Sequence, residues 1–272
     1  MRVVELTPEY ESLFFRCLED WNPETEVAVR HRACWYHSFR ERGLRVKLAL
    51  DDSDRVGGMI QYLPIEHAPA RGRDLYFILC IWVHGHAQGR GNFQGHGMGS
   101  ALLAAAEADA CALGAKGMAA WGLVLPFWMR ASWFRKLGYR KADRSGVSGL
   151  VWKPFVADAE PPRWLPSSSK RPARVPGQVV VTACSSGWCV AQAIALERAR
   201  SAASEFGDDV SFQIIDTKDR TRLLEWGATD ALFVDDQPIW TGPPPSRERL
   251  VRQIVKRVRR LPRAPARDGR DP

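Results

Sequence analysis

Apolar and polar positions divide the first half of the chain into short elements of changing period. Thr7-Pro8 supplies a capping hydroxyl and a proline for the first helical position, predicting a helix to about Leu18. Trp21-Asn22-Pro23 breaks it, and Val27, His31, Cys34, Trp35 and Phe39 fall on one face of a second helix over Glu24 to Arg42. Leu44 to Leu50 and Val56 to Ile65 read as strands joined by the polar turn Asp51-Asp52-Ser53-Asp54, which predicts antiparallel pairing. The unbroken apolar run Leu75 to Val83 predicts a buried strand. A glycine-rich turn, Gln94-Gly95-His96-Gly97-Met98-Gly99-Ser100, leads from it into an alanine-rich helix, Ala101 to Leu113. Lys116 to Leu123 reads as a strand, Phe127 to Leu137 as a helix stopped by Gly138, and Gly149 to Phe155 as another strand.

The pattern changes at Val156. Prolines and serines crowd residues 156–177 and predict a linker. Beyond it come a strand (Val179 to Ala183), a helix (Val190 to Phe206), a strand (Val210 to Ile215), a short helix (Arg220 to Trp226), a hairpin (Ala231 to Trp240) and a final helix capped by Ser246. The expected organisation is a domain over 1–155, the linker, a smaller domain over 178–261 and a disordered basic tail over 262–272.

Composition narrows the setting. With 272 residues and 45% hydrophobic content, each half can bury its own core. No apolar window approaches the roughly 18 residues of a membrane span, and no leader pattern opens the chain, so a cytoplasmic protein without a membrane partner is expected. The six scattered cysteines fit a reducing compartment. The net charge of +8 is concentrated from Lys256 to Arg270, without interleaved aromatics. Such a tail predicts a solvated end, and nucleic acid is not expected as a partner.

The glycine turn carries the chemistry. Amides are free at a helix N-terminus, the macrodipole adds positive charge there, and glycines let a bulky anion approach the main chain. The anion that suits such a turn is a pyrophosphate. A tight structural connection is the other reading of the same glycines. A dinucleotide fingerprint would need glycine where Ser100 stands, and the antiparallel meander upstream does not fit a doubly wound sheet.

Residues 1–155 resemble the acyl-CoA-dependent N-acetyltransferase superfamily, GNAT. Gln94-Gly95-His96-Gly97-Met98-Gly99 matches its Gln/Arg-x-x-Gly-x-Gly/Ala motif, and Trp133-Phe134-Arg135-Lys136-Leu137-Gly138-Tyr139 is similar to its late helix-to-strand segment. The resemblance implies an α/β (α+β) fold with a mixed, mostly antiparallel sheet. It also implies acetyl-CoA as acyl donor, held by Gln94, Gly95, His96, Gly97, Met98, Gly99 and Ser100, with its thioester near Ile81, Trp82 and Val83. The acceptor would be a small-molecule or peptide amine. An amine with a pKa near ~10 needs a base, and the thiolate that departs benefits from an acid.

The family's tyrosine acid is replaced here by Phe134. Cys80, His84, His86 and Glu66 are the groups to consider; Glu66, at a strand end, is the preferred base, with a solvated carboxylate as its equal alternative. Cys80, His84, His86 and His96 match no standard zinc spacing, so no metal is expected.

The second half has the element order of a thioredoxin-like domain. Cys184-Ser185-Ser186-Gly187-Trp188-Cys189 ends its first strand and opens its helix, so the dipole should lower the thiol pKa of Cys189. The usual Cys-x-x-Cys is absent, and Thr229-Asp230 stands where a cis-proline is usual. Both halves together, with Glu197-Arg198-Ala199-Arg200 and Gly242-Pro243-Pro244-Pro245-Ser246, resemble YoaP-like acetyltransferases. Two functions are therefore expected to compete. One is an N-acetyltransferase whose second domain positions substrate or partner. The other is a thiol-redox or thiol-carrier protein using Cys189.

Overall fold

A computed structural model describes residues 1–124, 129–239 and 244–262. The first half folds as β1 (Arg2–Glu5), α1 (Pro8–Phe15), α2 (Glu26–Arg40), β2 (Arg45–Leu50), β3 (Val56–Pro64), β4 (Ala70–Arg71), β5 (Leu75–Val83), α3 (Met98–Ala112), β6 (Gly117–Leu123), α4 (Ala131–Lys136), β7 (Arg140–Ser145) and β8 (Ser148–Pro154). Seven strands form one sheet in the order β1-β2-β3-β5-β6-β8-β7. Among these neighbours β5 and β6 run parallel and the other pairs antiparallel. The sheet is thus mixed and mostly antiparallel, as expected. Phe127 and Trp128, read as the start of the late helix, lie outside the described residues.

Each face of this sheet is covered by helices. Phe14, Phe15, Trp35, Tyr36 and Phe39 of α1 and α2 pack against one face, and Met98, Leu102, Leu103, Ala106 and Ala110 of α3, with Phe134 of α4, against the other. The pairing of β3 with β5 slips at one place: Gln61 opposes Cys80, Tyr62 opposes Ile78, and Leu79 has no opposite residue. This bulge breaks the alternation of side chains. Phe77, Leu79, Cys80 and Trp82 face α1 and α2, whereas Ile78, Ile81 and Val83 face α3. The β5–β6 ladder ends just there, at Ile78 opposite Ala120, so the two strands part.

The segment expected as a linker is largely tied down. Its β9 (Arg163–Trp164) pairs with β4, the Trp164 amide donates to Asp143 Oδ2 at 3.0 Å, and Ser168 Oγ donates to the Glu225 carbonyl at 2.7 Å. The second half comprises β10 (Val179–Ser185), α5 (Val190–Ala203), β11 (Val210–Asp216), α6 (Arg220–Trp226), β12 (Ala231–Val234), β13 (Gln237–Pro238) and α7 (Arg247–Val258). Its sheet runs β11-β10-β12-β13, with β10 and β11 parallel. Ser246 Oγ accepts from the Arg249 amide, capping α7 as read from the sequence. Trp240 and Thr241-Gly242-Pro243 lie outside the described residues, as does the chain beyond Pro262. No helix among the described residues is long and apolar enough to cross a membrane.

The second half docks on α2. Ala28 packs against Val190, Ala193 and Ile194, Glu24 takes both oxygens to Arg198, and His31 Nε2 lies 2.6 Å from Glu197 Oε1. Gly187 sits at φ +83° with space for a Cβ only 2.9 Å from the His31 carbonyl, so both backbone and approach require glycine there. Arg32 is 1% exposed and joins the halves from inside. Its guanidinium donates to the Trp188 carbonyl at 3.0 Å and to Gln61 Oε1 at 2.9 Å, over the Phe14 ring.

Candidate active site

Where β5 leaves β6, the chain returns through the glycine turn into α3. Gly95 and Gly97 lie at φ +83° and +80°, the left-handed region that glycine tolerates, and Gly97 is the N-cap of α3. No side chain caps this helix and no acidic residue occupies its first turn. Its leading amides therefore remain open to an anion.

The loop before the turn is held by its own polar groups. His84 is fully buried; its Nδ1 donates to the Gly91 carbonyl at 2.7 Å and its Nε2 accepts from the Trp21 indole at 3.3 Å. Those partners fix one neutral tautomer and occupy both nitrogens, so His84 holds the loop rather than moving a proton. His86 packs among the rings of Trp21, Trp82 and His84. Gln94 Nε2 reaches the Val83 carbonyl at 3.3 Å, tying the turn to the strand end.

The turn, strand end and late helix enclose a cleft of about 740 Å³. Ile81, Trp82, Val83, Gln94, Gly95, Gly97, Met98, Gly99 and Ser100 line it, and His96 does not. Phe134 is buried at its wall. The same wall carries Arg130, Ser132, Trp133 and Lys136, none of which stood out in the sequence as a site residue. The signal they carry is one of position: two cations on and beside a short helix that faces a glycine turn. Among the described residues Arg130 and Lys136 are the only charged ones lining the cleft, so its field suits an anion.

Two expected catalytic groups lie elsewhere. Glu66 is exposed in a short helical turn after β3, where Pro64 pairs with Tyr76. Because β3 runs antiparallel to β5, the end of β3 meets the beginning of β5. Five residues separate Tyr76 from Ile81, the first residue of β5 to line the cleft, about 16 Å along a strand, and Glu66 does not line this cleft. Cys80 is 3% exposed and turned by the bulge toward α1 and α2, and burial pushes its thiol well up.

The expectation of a lowered pKa at Cys189 is also corrected. Cys189 does stand at the N-cap of α5. Docking of the second half brings it near Cys17, Cys80 and Arg32 and leaves it partly exposed, and burial pushes its thiol up to about 12 despite the hydrogen bond from the Gln192 backbone. Desolvation outweighs the dipole, which contributes at most about 2 kcal/mol at a helix end. Burial likewise pushes Cys184 up to about 12. Iodoacetamide is thus expected to modify exposed Cys34 and Cys111 and to spare buried Cys80 and Cys184 in the native protein. Peptide mass spectrometry reads this directly, and rapid labelling of Cys184 would contradict it.

Among the described residues no cluster of three or more His, Cys, Asp or Glu side chains is placed to hold a metal ion.

No protein-family model matches the chain, and no curated protein matches it. Solved structures do. A putative GNAT-family acetyltransferase from Desulfovibrio desulfuricans is 20% identical over 57% of this chain and 99% of its own, with a TM-score of 0.43. A GNAT-family acetyltransferase from Brucella melitensis, solved with acetyl-CoA, is 17% identical over 60% of this chain and 94% of its own, at 0.40. The ribosomal-protein-alanine N-acetyltransferase of Brucella melitensis is 19% identical over 57% and 100%, at 0.41.

Proposed function

We propose that the chain is an acyl-CoA-dependent N-acyltransferase that holds acetyl-CoA in the 740 Å³ cleft and passes its acyl group to an amine. One observation carries this reading: an uncapped glycine turn at a helix N-terminus opens where two parallel strands part, in a cleft whose described lining is charged only by Arg130 and Lys136. The amides from Gly95 to Ser100 would receive the pyrophosphate. Beyond Leu79, whose carbonyl accepts from Trp121 Nε1, the β6-facing edge of β5 has no ladder partner among the described residues, which leaves its backbone groups for the donor's extended amide arm and for polarising the thioester carbonyl.

The proton chemistry differs from a tyrosine-assisted route. Phe134 has no proton to give, and the described lining contains no carboxyl, histidine, tyrosine or cysteine. A thiolate would instead depart into a field set by Arg130 and Lys136, and the proton shed by the attacking amine would pass through solvent to that thiolate, giving free CoA. The YoaP-like and thioredoxin-like assignments belong to this same reading, with the second half positioning the acceptor. The raised thiols of Cys184 and Cys189 give no support to redox exchange.

Acetyl-CoA at a hundredfold excess over its Kd is expected to stabilise the full chain by about 2.7 kcal/mol, read as a rise in melting temperature. Free CoA should then appear when an amine acceptor is added. An unchanged melting temperature at saturating acetyl-CoA would remove the donor assignment.

A further inference from the structure

A second cavity, about 330 Å³, lies on the opposite side of β5 from the cleft. Its walls come from three parts of the chain. Phe77, Leu79 and Trp121 belong to the first sheet, Trp164 to the tied-down connector, and Trp188 and Asp230 to the second half. Leu79 is the bulged residue, and Trp121 Nε1 donates to its carbonyl at 2.7 Å. The cavity therefore reaches β5 immediately before the stretch, Ile81 to Val83, that lines the cleft from the other side.

The charge pattern of the two spaces is opposite. Among the described residues Asp230 is the only ionisable one lining the cavity, and it makes no ion pair with any of them. Burial pushes its carboxyl up to about 6, while donors around it, the Ser186 amide first, pull the other way. Ser186 Oγ donates to Asp230 Oδ2 at 3.1 Å, which fixes the carboxylate without neutralising it. A desolvated carboxylate is costly unless a cation meets it. Indole faces attract the same cations. Gln192 adds a buried side-chain oxygen that lacks a hydrogen-bond partner among the described residues, another acceptor for N–H groups.

We propose that this cavity is the acceptor site, that it binds a small primary amine as its ammonium form, and that Asp230 recognises the ammonium, which releases one proton to solvent before its nitrogen attacks. The proposal rests on the N-acyltransferase reading. It gives the second half a defined role, because without Trp188 and Asp230 the cavity has neither its far wall nor its anion. The volume lies at the low end of ligand pockets, which selects a small molecule over a folded protein terminus.

Isothermal titration of the full chain with phenethylamine, cadaverine, the neutral 2-phenylethanol and trialanine tests it, alongside acetyl-CoA. At least one amine is expected to bind, with 2-phenylethanol weaker. Asp230→Asn should weaken the amine by roughly thirtyfold or more, the loss that follows removal of one partner of a desolvated charge pair. Ala228→Phe, which fills the cavity and keeps the carboxylate, should also weaken it. Both variants should bind acetyl-CoA within about twofold of the parent, which shows that they are folded and that the cleft is separate. The acceptor site is overturned if neither amine binds, if Asp230→Asn binds as the parent does, or if only a tripeptide with a free N-terminus binds. Amine binding without acetyl-CoA binding overturns the acyltransferase reading and leaves an amine-binding cavity, so the two failures are distinguishable.

Discussion

Gly97→Glu is expected to abolish the stabilisation by acetyl-CoA while leaving the protein folded. A Cβ at Gly97 meets no atom within 4 Å, so the apo structure has room for a side chain. The cost to the fold is the positive φ, about 1–2 kcal/mol for a residue with a Cβ. A carboxylate at a helix N-terminus returns part of that, about 0.3–1 kcal/mol. Against a bound pyrophosphate the same carboxylate is repelled by about 4 kcal/mol per unit charge at close range, on the order of a thousandfold in affinity. Gly97→Ala separates the two effects, since it adds the strain without the charge and should lose no more than about tenfold. Titrating acetyl-CoA against the three proteins by melting temperature decides it. Equal shifts in Gly97→Glu and the parent would mean that the turn holds no phosphate.

Arg32→Ala is expected to cost about 3–5 kcal/mol of unfolding free energy, a large part of the 5–15 kcal/mol typical of a folded chain. The guanidinium is buried, joins no ion pair among the described residues, and bonds Gln61 in the first sheet and the Trp188 carbonyl in the second half. Truncation leaves both acceptors unpaired and opens a void beside Phe14. Arg32→Lys should recover only part of the loss, because a single ammonium cannot reproduce the planar fork that spans two acceptors. Urea unfolding of the three proteins gives the values. A loss below about 1 kcal/mol in Arg32→Ala would show that the halves are held by α2 and α5 alone.

The centre of the molecule was legible because its signals are local. An uninterrupted apolar run, glycines at alternate positions and an alanine-rich stretch each report their own backbone, and β5, the turn and α3 follow from them. Strand β7, Arg140–Ser145, was not legible: it is an edge strand with a polar, exposed sequence that no burial pattern marks. Glu66 was misplaced because a strand end says nothing of which end of its neighbour it meets. Cys189 was placed correctly at a helix start, yet its chemistry is set by α2 and by Cys17 and Cys80, which approach it only when the halves dock. The same limit hid Asp230, whose cavity takes walls from residues more than a hundred positions apart in sequence.

The bulge at Leu79 also works as a counting device. In a flat strand of this length, Cys80 and Trp82 would turn toward α3, and Ile81 and Val83 toward α2. One residue without an opposite number reverses that assignment. No point substitution changes such parity, whereas ironing the bulge flat would turn Ile81 and Val83 away from the cleft and bring the Cys80 thiol toward it. Which side chains line the cleft is therefore written in the number of residues between Ile78 and Ile81 as much as in their identity.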